Sequence, residues 1–183
     1  MDNPQIHKLV IRKELVQDQE AVFLLVKEAF LNDFNSDHKE QFLVERLRKS
    51  VNFIPELSLV AILEEQVVGY ILLTKAHIKS GNEIHETLAL APLAVLPDQQ
   101  ARGIGSELMK YAHQKALELG YNSIVLIGHQ DYYPKFGYQQ AHKYGISFPF
   151  DVPKMNCFAV ELKKGGLDGV QGEVVYAQEF FEG

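Results

Sequence analysis

The stretch Pro97-Asp-Gln-Gln-Ala-Arg-Gly-Ile-Gly-Ser-Glu-Leu108 decides how this sequence is read. An apolar run closing on Leu93-Ala94-Val95-Leu96 stops at Pro97, and a helical pattern opens within a few residues. Between them, Gln100-Ala-Arg102-Gly103-Ile-Gly105 places two glycines two positions apart. A helix start leaves backbone N–H groups without intrahelical partners, and the helix dipole adds positive potential there. Glycine lets the backbone curl and lets a bulky anion come close. Arg102 adds a permanent cation with a forked donor. The junction therefore predicts a cradle for a pyrophosphate. It is not a P-loop, which needs a Gly-Lys-Ser/Thr end, nor a dinucleotide fingerprint, whose third glycine would stand where Leu108 does. A plain strand–turn–helix is the competing reading of so short a motif.

Downstream, Ile104, Leu108, Ala112, Ala116 and Leu119 keep helical period up to Gly120, a C-cap signal. Ser123–Ile127 is a short, nearly all-apolar strand of the kind buried in parallel pairing. Leu88 to Ile127 thus forms a βαβ crossover, right-handed by default. Upstream, Leu57–Leu63, Val67–Ile78 and Ile84–Leu96 read as three strands. The turns between them, Glu64-Glu65-Gln66 and Ser80-Gly81-Asn82, are short enough to predict an antiparallel meander. Pro92 inside the third run cannot donate to a ladder, so it either ends the strand early or marks a bulge.

Before the meander, Lys8–Arg12 reads as a short strand and Asp18 as the N-cap of a first helix. Val22, Leu25, Val26 and Ala29 share one face of that helix, which runs through Phe30. After a polar turn over Leu31–Ser36, a second helix is predicted from Asp37 to Lys49. It has Leu43, Val44 and Leu47 inward and Glu45, Arg46, Arg48 and Lys49 on a solvated face. No repeat or low-complexity linker divides the chain, so residues 1–183 are expected to form one domain. The class is α/β with a mixed sheet: an antiparallel meander followed by a βαβ unit.

With 183 residues, 46% hydrophobic and 23% charged, the composition is that of an ordinary globular protein. A net charge of −6 argues against a general nucleic-acid binder, which needs a basic face. Cys157 is the only cysteine, which excludes an intramolecular disulfide and a cysteine-rich zinc site. The seven histidines show no metal-ligand spacing, and no serine sits in a G-x-S-x-G elbow. Met1–Lys8 lacks an apolar signal segment and the most apolar run, Leu88–Leu96, is too short to span a bilayer. The expectation is a cytoplasmic protein that needs no metal, nucleic acid or membrane.

Gln100–Gly105 resembles the Q/R-x-x-G-x-G/A signature of the GNAT N-acetyltransferases, whose backbone amides hold the pyrophosphate of acetyl-CoA. Tyr133-Pro-Lys135-Phe136-Gly137-Tyr138 resembles the family's Y-x-K-L-G-F signature, in the right order and at the right separation. Five further stretches resemble the YhbS-like branch of predicted acetyltransferases: Glu28–Phe30, Phe148–Pro153, Phe158–Leu162, Gly165–Val175 and Ala177–Phe180. The resemblance implies the GNAT acyl-CoA N-acyltransferase fold, with the strand containing Pro92 bent away from its neighbour.

It also implies direct transfer of an acetyl group from acetyl-CoA to a primary amine of a small molecule or protein, in a ternary complex. Backbone groups of Leu93, Ala94 and Val95 would face the thioester and pantetheine, with the Leu93 N–H as oxyanion donor. Amides of Ala101, Arg102, Gly103, Ile104, Gly105 and Ser106 would hold the pyrophosphate, with Gln100 and Arg102 at its rim. Arg102 also reads as a plain surface residue. Tyr133 would be the general acid toward sulfur, with Phe136 beside it; Tyr132 is the alternative, and a core aromatic the bland one.

Many relatives carry a glutamate as base on the strand before the cradle, but Ala89 stands at that position here. Glu86 could act through water, with His129 and Asp131 as loop alternatives. The acceptor pocket is expected between the first two helices, the Tyr133 loop and Phe148–Cys157, with Phe30, Phe34 and Phe150 as apolar walls. A homodimer is left open. A non-catalytic acyl-CoA sensor on the same fold is the alternative function, favoured by the missing carboxylate.

Overall fold

The computed structural model describes residues 9–183. Strand β1 spans Val10–Lys13; Lys8, expected to open it, lies outside the described residues. Helices α1 (Gln19–Phe30) and α2 (Glu40–Leu47) follow, then the meander β2 (Phe53–Leu63), β3 (Gln66–Ser80) and β4 (Glu83–Val95). Helix α3 (Ile104–Glu118) leads to β5 (Ser123–Ile127). Short strands β6 (Gln139–Gln140), β7 (Ile146–Ser147), β8 (Cys157–Glu161) and β9 (Gly172–Val175) complete the chain.

The sheet runs β1-β2-β3-β4-β5-β8-β6, antiparallel throughout except for the β4–β5 pair. β9 pairs with β3 at His77–Lys79, beyond the reach of β2, and carries β7 alongside it. The β2–β3 hairpin turns on Glu64 (φ 50°) and Glu65 (φ 63°), both left-handed, the geometry that matches the twist of a two-residue hairpin.

Side-chain alternation sorts the core into layers. Leu59, Ala61, Ile71 and Leu73 face α3, meeting Ile104, Leu108 and Ala112. Their neighbours Val60, Tyr70 and Leu72 face the other way, onto Val22, Leu25, Val26, Val44 and Leu47 of α1 and α2. β5 is buried along nearly its whole length, as its apolar run predicts.

Four local expectations are corrected. Asp18 precedes α1 but makes no side-chain cap to it. Its carboxylate instead accepts Arg12 Nη1 at 2.6 Å, Arg12 Nη2 at 3.0 Å and the Leu15 N–H at 2.7 Å. Helix α2 starts at Glu40 rather than Asp37, because Ser36 and Asp37 side chains accept the N–H groups of His38 and Lys39 in local turns. Arg48 is not solvated: it lies past the last turn of α2 and reaches a buried Glu14. Arg46 of the same face donates to the Glu179 carbonyl at 3.2 Å. Leu119, expected inward, is the exposed C-cap of α3.

The Arg12 hydrogen bonds hold the Asp18 carboxyl below the usual carboxylate range, against the opposing effect of burial. Stability from this pair is fully present above the unfolded carboxylate value of about 3.9 and is lost as pH falls through the lowered folded value. Asp18→Asn is therefore expected to cost about 1–2 kcal/mol at neutral pH, the low side for bonds to a charged group because Arg12 is partly screened. Urea titrations of both proteins at neutral and strongly acid pH check this; the difference should vanish in acid.

Candidate active site

Two departures from regular pairing create the site. β3 and β4 stay in register from Ser80↔Glu83 to Leu73↔Leu90, then resume at Ile71↔Leu93. Two steps on β3 thus face three on β4, so β4 carries one extra residue at Ala91–Pro92, a bulge. On its other edge β4 pairs with β5 only at Leu88↔Ile124 and Ala89↔Val125. Beyond these pairs the parallel strands part, leaving β4 from Leu90 onward unpaired on that edge.

The gap opens into a cleft of about 1120 Å³. Leu90 to Val95 line one side and Ile127 and Gly128 the other. At one end stands the junction before α3. Ala101 (φ 59°) and Gly103 (φ 84°) are both left-handed and flank Arg102, which curls the backbone around the helix start. Gln100 Nε2 donates to the Val95 carbonyl at 3.1 Å and ties this loop to the end of β4. Gly105 makes room for Tyr132: a Cβ there would stand 2.7 Å from the Tyr132 hydroxyl, which would have to shift.

The other end is walled by Glu28, Phe30 and Asp33 around the C-terminus of α1, by Glu40 at the start of α2, and by His129, Val152, Pro153 and Asn156. Phe30, expected as an apolar wall, lines this end of the cleft. Phe34 is fully exposed and Phe150 stacks on Phe181 and packs against Tyr176, so neither lines the cleft.

Of the residues singled out from the sequence, Leu93, Ala94, Val95, Gln100, Ala101, Gly103, Ile104, Gly105, Ser106 and Tyr133 line one continuous cleft. Arg102 does not: its guanidinium turns to Gln99 Oε1 at 2.6 Å. Phe136 lies behind Tyr132, packed edge-on at 5.4 Å and against the core. Glu86 is also outside. It is exposed, opposite His77 at the paired end of β4, and its charge is felt by Tyr121 rather than by a cleft residue. Ala89 is buried between Thr74 and Val125, so the strand presents no carboxylate there.

Tyr132 and Tyr133 open the 3₁₀ turn Tyr133–Phe136, rings edge-on at 5.1 Å. The Tyr132 hydroxyl points to the start of α3, while the Tyr133 ring lies against the backbone of Gly128, where strands β4 and β5 part. Burial raises the pKa of both phenols, that of Tyr133 the more strongly, so both stay protonated at neutral pH. Lys135, which the sequence reading left without a role, lines the cleft with its Nζ 4.0 Å from the Tyr132 ring centroid. Its cation joins the helix dipole on the cradle side, whereas the far wall carries three carboxylates. The arrangement suits an anionic cofactor at one end and a cationic partner at the other.

Among the described residues no helix is long and apolar enough to cross a membrane, and no group of three or more potential metal ligands is found.

Comparison with known proteins agrees with this architecture. The chain is 34% identical over 117 residues to the uncharacterized N-acetyltransferase YjhQ of Escherichia coli K12, covering 63% of this chain and 65% of YjhQ. It is 27% identical to the uncharacterized N-acetyltransferase YhbS of the same strain, over 94% of this chain and 98% of YhbS. The crystal structure of E. coli YhbS in complex with CoA superposes with a TM-score of 0.88 at 24% identity, covering 100% of this chain and 97% of that one. A GNAT family acetyltransferase from Brucella melitensis, in complex with acetyl-CoA, gives 0.78 at 29% identity, covering 95% and 99%. The model of the acetyltransferase (GNAT) family matches residues 24–138, from the middle of α1 through the cradle to Tyr138. With that match spanning more than half of its length and both motifs, the chain belongs to the acetyltransferase (GNAT) family.

Proposed function

We propose that the chain, acting as a single GNAT domain over residues 1–183, transfers the acetyl group of acetyl-CoA to a primary amine of a small molecule or protein. Transfer is by direct attack in a ternary complex. The observation that carries this reading is the continuity of the cleft: the curled helix start, the unpaired edge of β4 and the Tyr133 loop share one cavity. The bound CoA and acetyl-CoA of the YhbS and Brucella structures support the choice of cofactor. The chain itself supports the choice: a Cβ added at Gly103 would meet no atom within 4 Å beyond its immediate chain neighbours. A bulky anion can therefore approach the N–H groups at the start of α3.

In this reading the amides from Ala101 to Ser106 hold the pyrophosphate, with Gln100 fixing the loop. The free edge of β4 at Leu93, Ala94 and Val95 receives the pantetheine arm. The Leu93 N–H stabilises the oxyanion that forms when the amine adds to the thioester carbonyl. Tyr133, kept protonated by burial, donates to the departing sulfur. The buried Ala89 favours the second reading, a sensor that binds the thioester without turnover. Acetyl-CoA consumption over a panel of amines separates the two, since tight CoA binding with no turnover on any amine favours the sensor.

Tyr133→Phe tests the acid. The ring keeps its packing against Tyr138 and Phe158, so only the hydroxyl is lost. General acids contribute about 10²–10⁴-fold, and a thiol of pKa about 8.5 departs partly unaided, so kcat should fall about 10²-fold. Acetyl-CoA affinity should stay nearly intact. An unchanged kcat for Tyr133→Phe beside a large fall for Tyr132→Phe would move the role one residue back.

A further inference from the structure

Of the described residues that line the cleft, His129 carries the one imidazole. It directly follows Gly128, against whose backbone the Tyr133 ring lies. Gly128 is pinned in turn: its N–H donates to the Asn156 carbonyl at 2.9 Å and its carbonyl accepts Asn156 Nδ2 at 3.0 Å. Across the cleft mouth His129 Nε2 stands 3.8 Å from Asp33 Oδ2. Asp33 is itself held, since its Oδ1 accepts the Asn35 N–H at 2.9 Å.

We propose that His129, oriented by Asp33, is the general base that takes the proton from the ammonium form of the acceptor. The proposal rests on the acetyl-transfer reading above and fills the role left open by Ala89 on β4. With Nε2 turned toward Asp33, Nδ1 is the nitrogen the proposal assigns to the acceptor. Asp33, from the α1–α2 connection, stands at ion-pair distance, and the charged or titratable groups that line the same cleft are Glu28 from α1, Glu40 from α2, and Tyr133 and Lys135 from the turn that follows. Glu40 is engaged through Oε1 with the Ser36 hydroxyl at 2.5 Å. The three carboxylates attract a cationic amine to the wall where the imidazole stands.

The steps balance. Nδ1 takes one proton from the ammonium and passes it to solvent, to which the 68% exposed side chain has direct access. The freed lone pair forms the C–N bond at the thioester carbonyl. On collapse the C–S bond breaks, and sulfur leaves with the proton of Tyr133. The second proton, shed by nitrogen as the amide forms, restores the Tyr133 hydroxyl. One proton is released per acetyl group transferred.

The test compares acceptors that need a base with one that does not. n-Butylamine, Nα-acetyllysine amide and related alkylamines are protonated near neutral pH, whereas hydroxylamine is largely unprotonated there. For His129→Gln, kcat/KM with the alkylamines should fall about 10²-fold, while hydroxylamine turnover and CoA affinity stay essentially unchanged. Asp33→Asn should show the same selectivity at about tenfold, as a positioning residue would. Exogenous imidazole should restore alkylamine turnover to His129→Ala.

Equal loss on both acceptor types, or no loss on either, overturns the assignment and leaves the acetyl-transfer reading standing. A wild type that acetylates hydroxylamine but no alkylamine has no working base and overturns it as well. A wild type that acetylates neither removes the acetyl-transfer reading itself.

Discussion

Glu14→Ala is expected to destabilise the protein by about 3–5 kcal/mol, the range for removing one partner of a buried ion pair. Glu14 directly follows β1, and only 4% of its side chain is exposed. Its carboxylate accepts Nε of Arg48 at 3.2 Å, Nη2 of the same guanidinium, and the Ser58 hydroxyl at 2.6 Å. Ser58 meets the Tyr70 hydroxyl at 2.8 Å, so one network joins β1, the end of α2, β2 and β3. Alanine would leave the Arg48 guanidinium, 10% exposed, without a counter-charge, and take from the Ser58 hydroxyl one of its two side-chain partners. Removing both charges together is a different matter. Glu14→Leu with Arg48→Met replaces the pair by apolar groups and should be much less costly than either single change. Urea titration of the two singles and the double measures this. A loss below about 1 kcal/mol for Glu14→Ala would mean that water relieves the pair and that it behaves as a surface bridge.

This network was illegible in the sequence for a physical reason. The charge of Arg48 suggests a solvated face, but its backbone is still helical, with its N–H bonded to the Val44 carbonyl, so it stands on the inward face one turn after the buried Val44. Its partner comes from a strand far away in the chain, which periodicity cannot see. Many local signals are legible, although the Asp18 cap and the Asp37 helix start, equally local, give way to competing side-chain hydrogen bonds. The β5 limits, the two hairpins, the bulge at Pro92 and the start of α3 each follow from a handful of adjacent residues. The cradle half of the cleft belongs to this class, since one loop and one helix terminus build it.

The opposite wall, where the acceptor is proposed to bind, does not. Asp33, Glu40, His129 and Asn156 come from four separate segments, and only the folded sheet brings them to one wall. Phe34 and Phe150 show the opposite failure. They are aromatic, in the expected segments, and still point elsewhere, because burial there is decided by Tyr176 and Phe181 or by nothing at all. Glu86 illustrates how fine the register is. It sits three positions before Ala89, opposite His77 on β3, whereas the cleft opens after the β4–β5 pairs at Leu88 and Ala89, so the carboxylate lies on the far side of those pairs.

Gly103→Val is expected to weaken CoA and acetyl-CoA binding alike, by a factor on the order of 10²–10³. At φ 84° a β-branched residue is a conformational outlier, with strain of about 1–3 kcal/mol. The space beside Gly103 is open, so the new methyl groups meet no protein atom and the fold can survive. They project instead where a phosphate oxygen must come to reach the amides at the start of α3. Losing two charge-assisted hydrogen bonds of about 1.5–2 kcal/mol each, the weak end of their usual range, at tenfold per roughly 1.4 kcal/mol, gives the stated range. Because the pyrophosphate is common to both ligands, their ratio of affinities should not change. Pantetheine, which lacks it, should bind the variant and the wild type equally. Gly81→Val is the control for strain alone: Gly81 is also left-handed (φ 57°) and open, but it lies in the β3–β4 hairpin, outside the cleft. Calorimetry on the folded variants decides between the cases. Unchanged CoA affinity in Gly103→Val, or an equal loss in Gly81→Val, would show that the helix start does not hold the pyrophosphate.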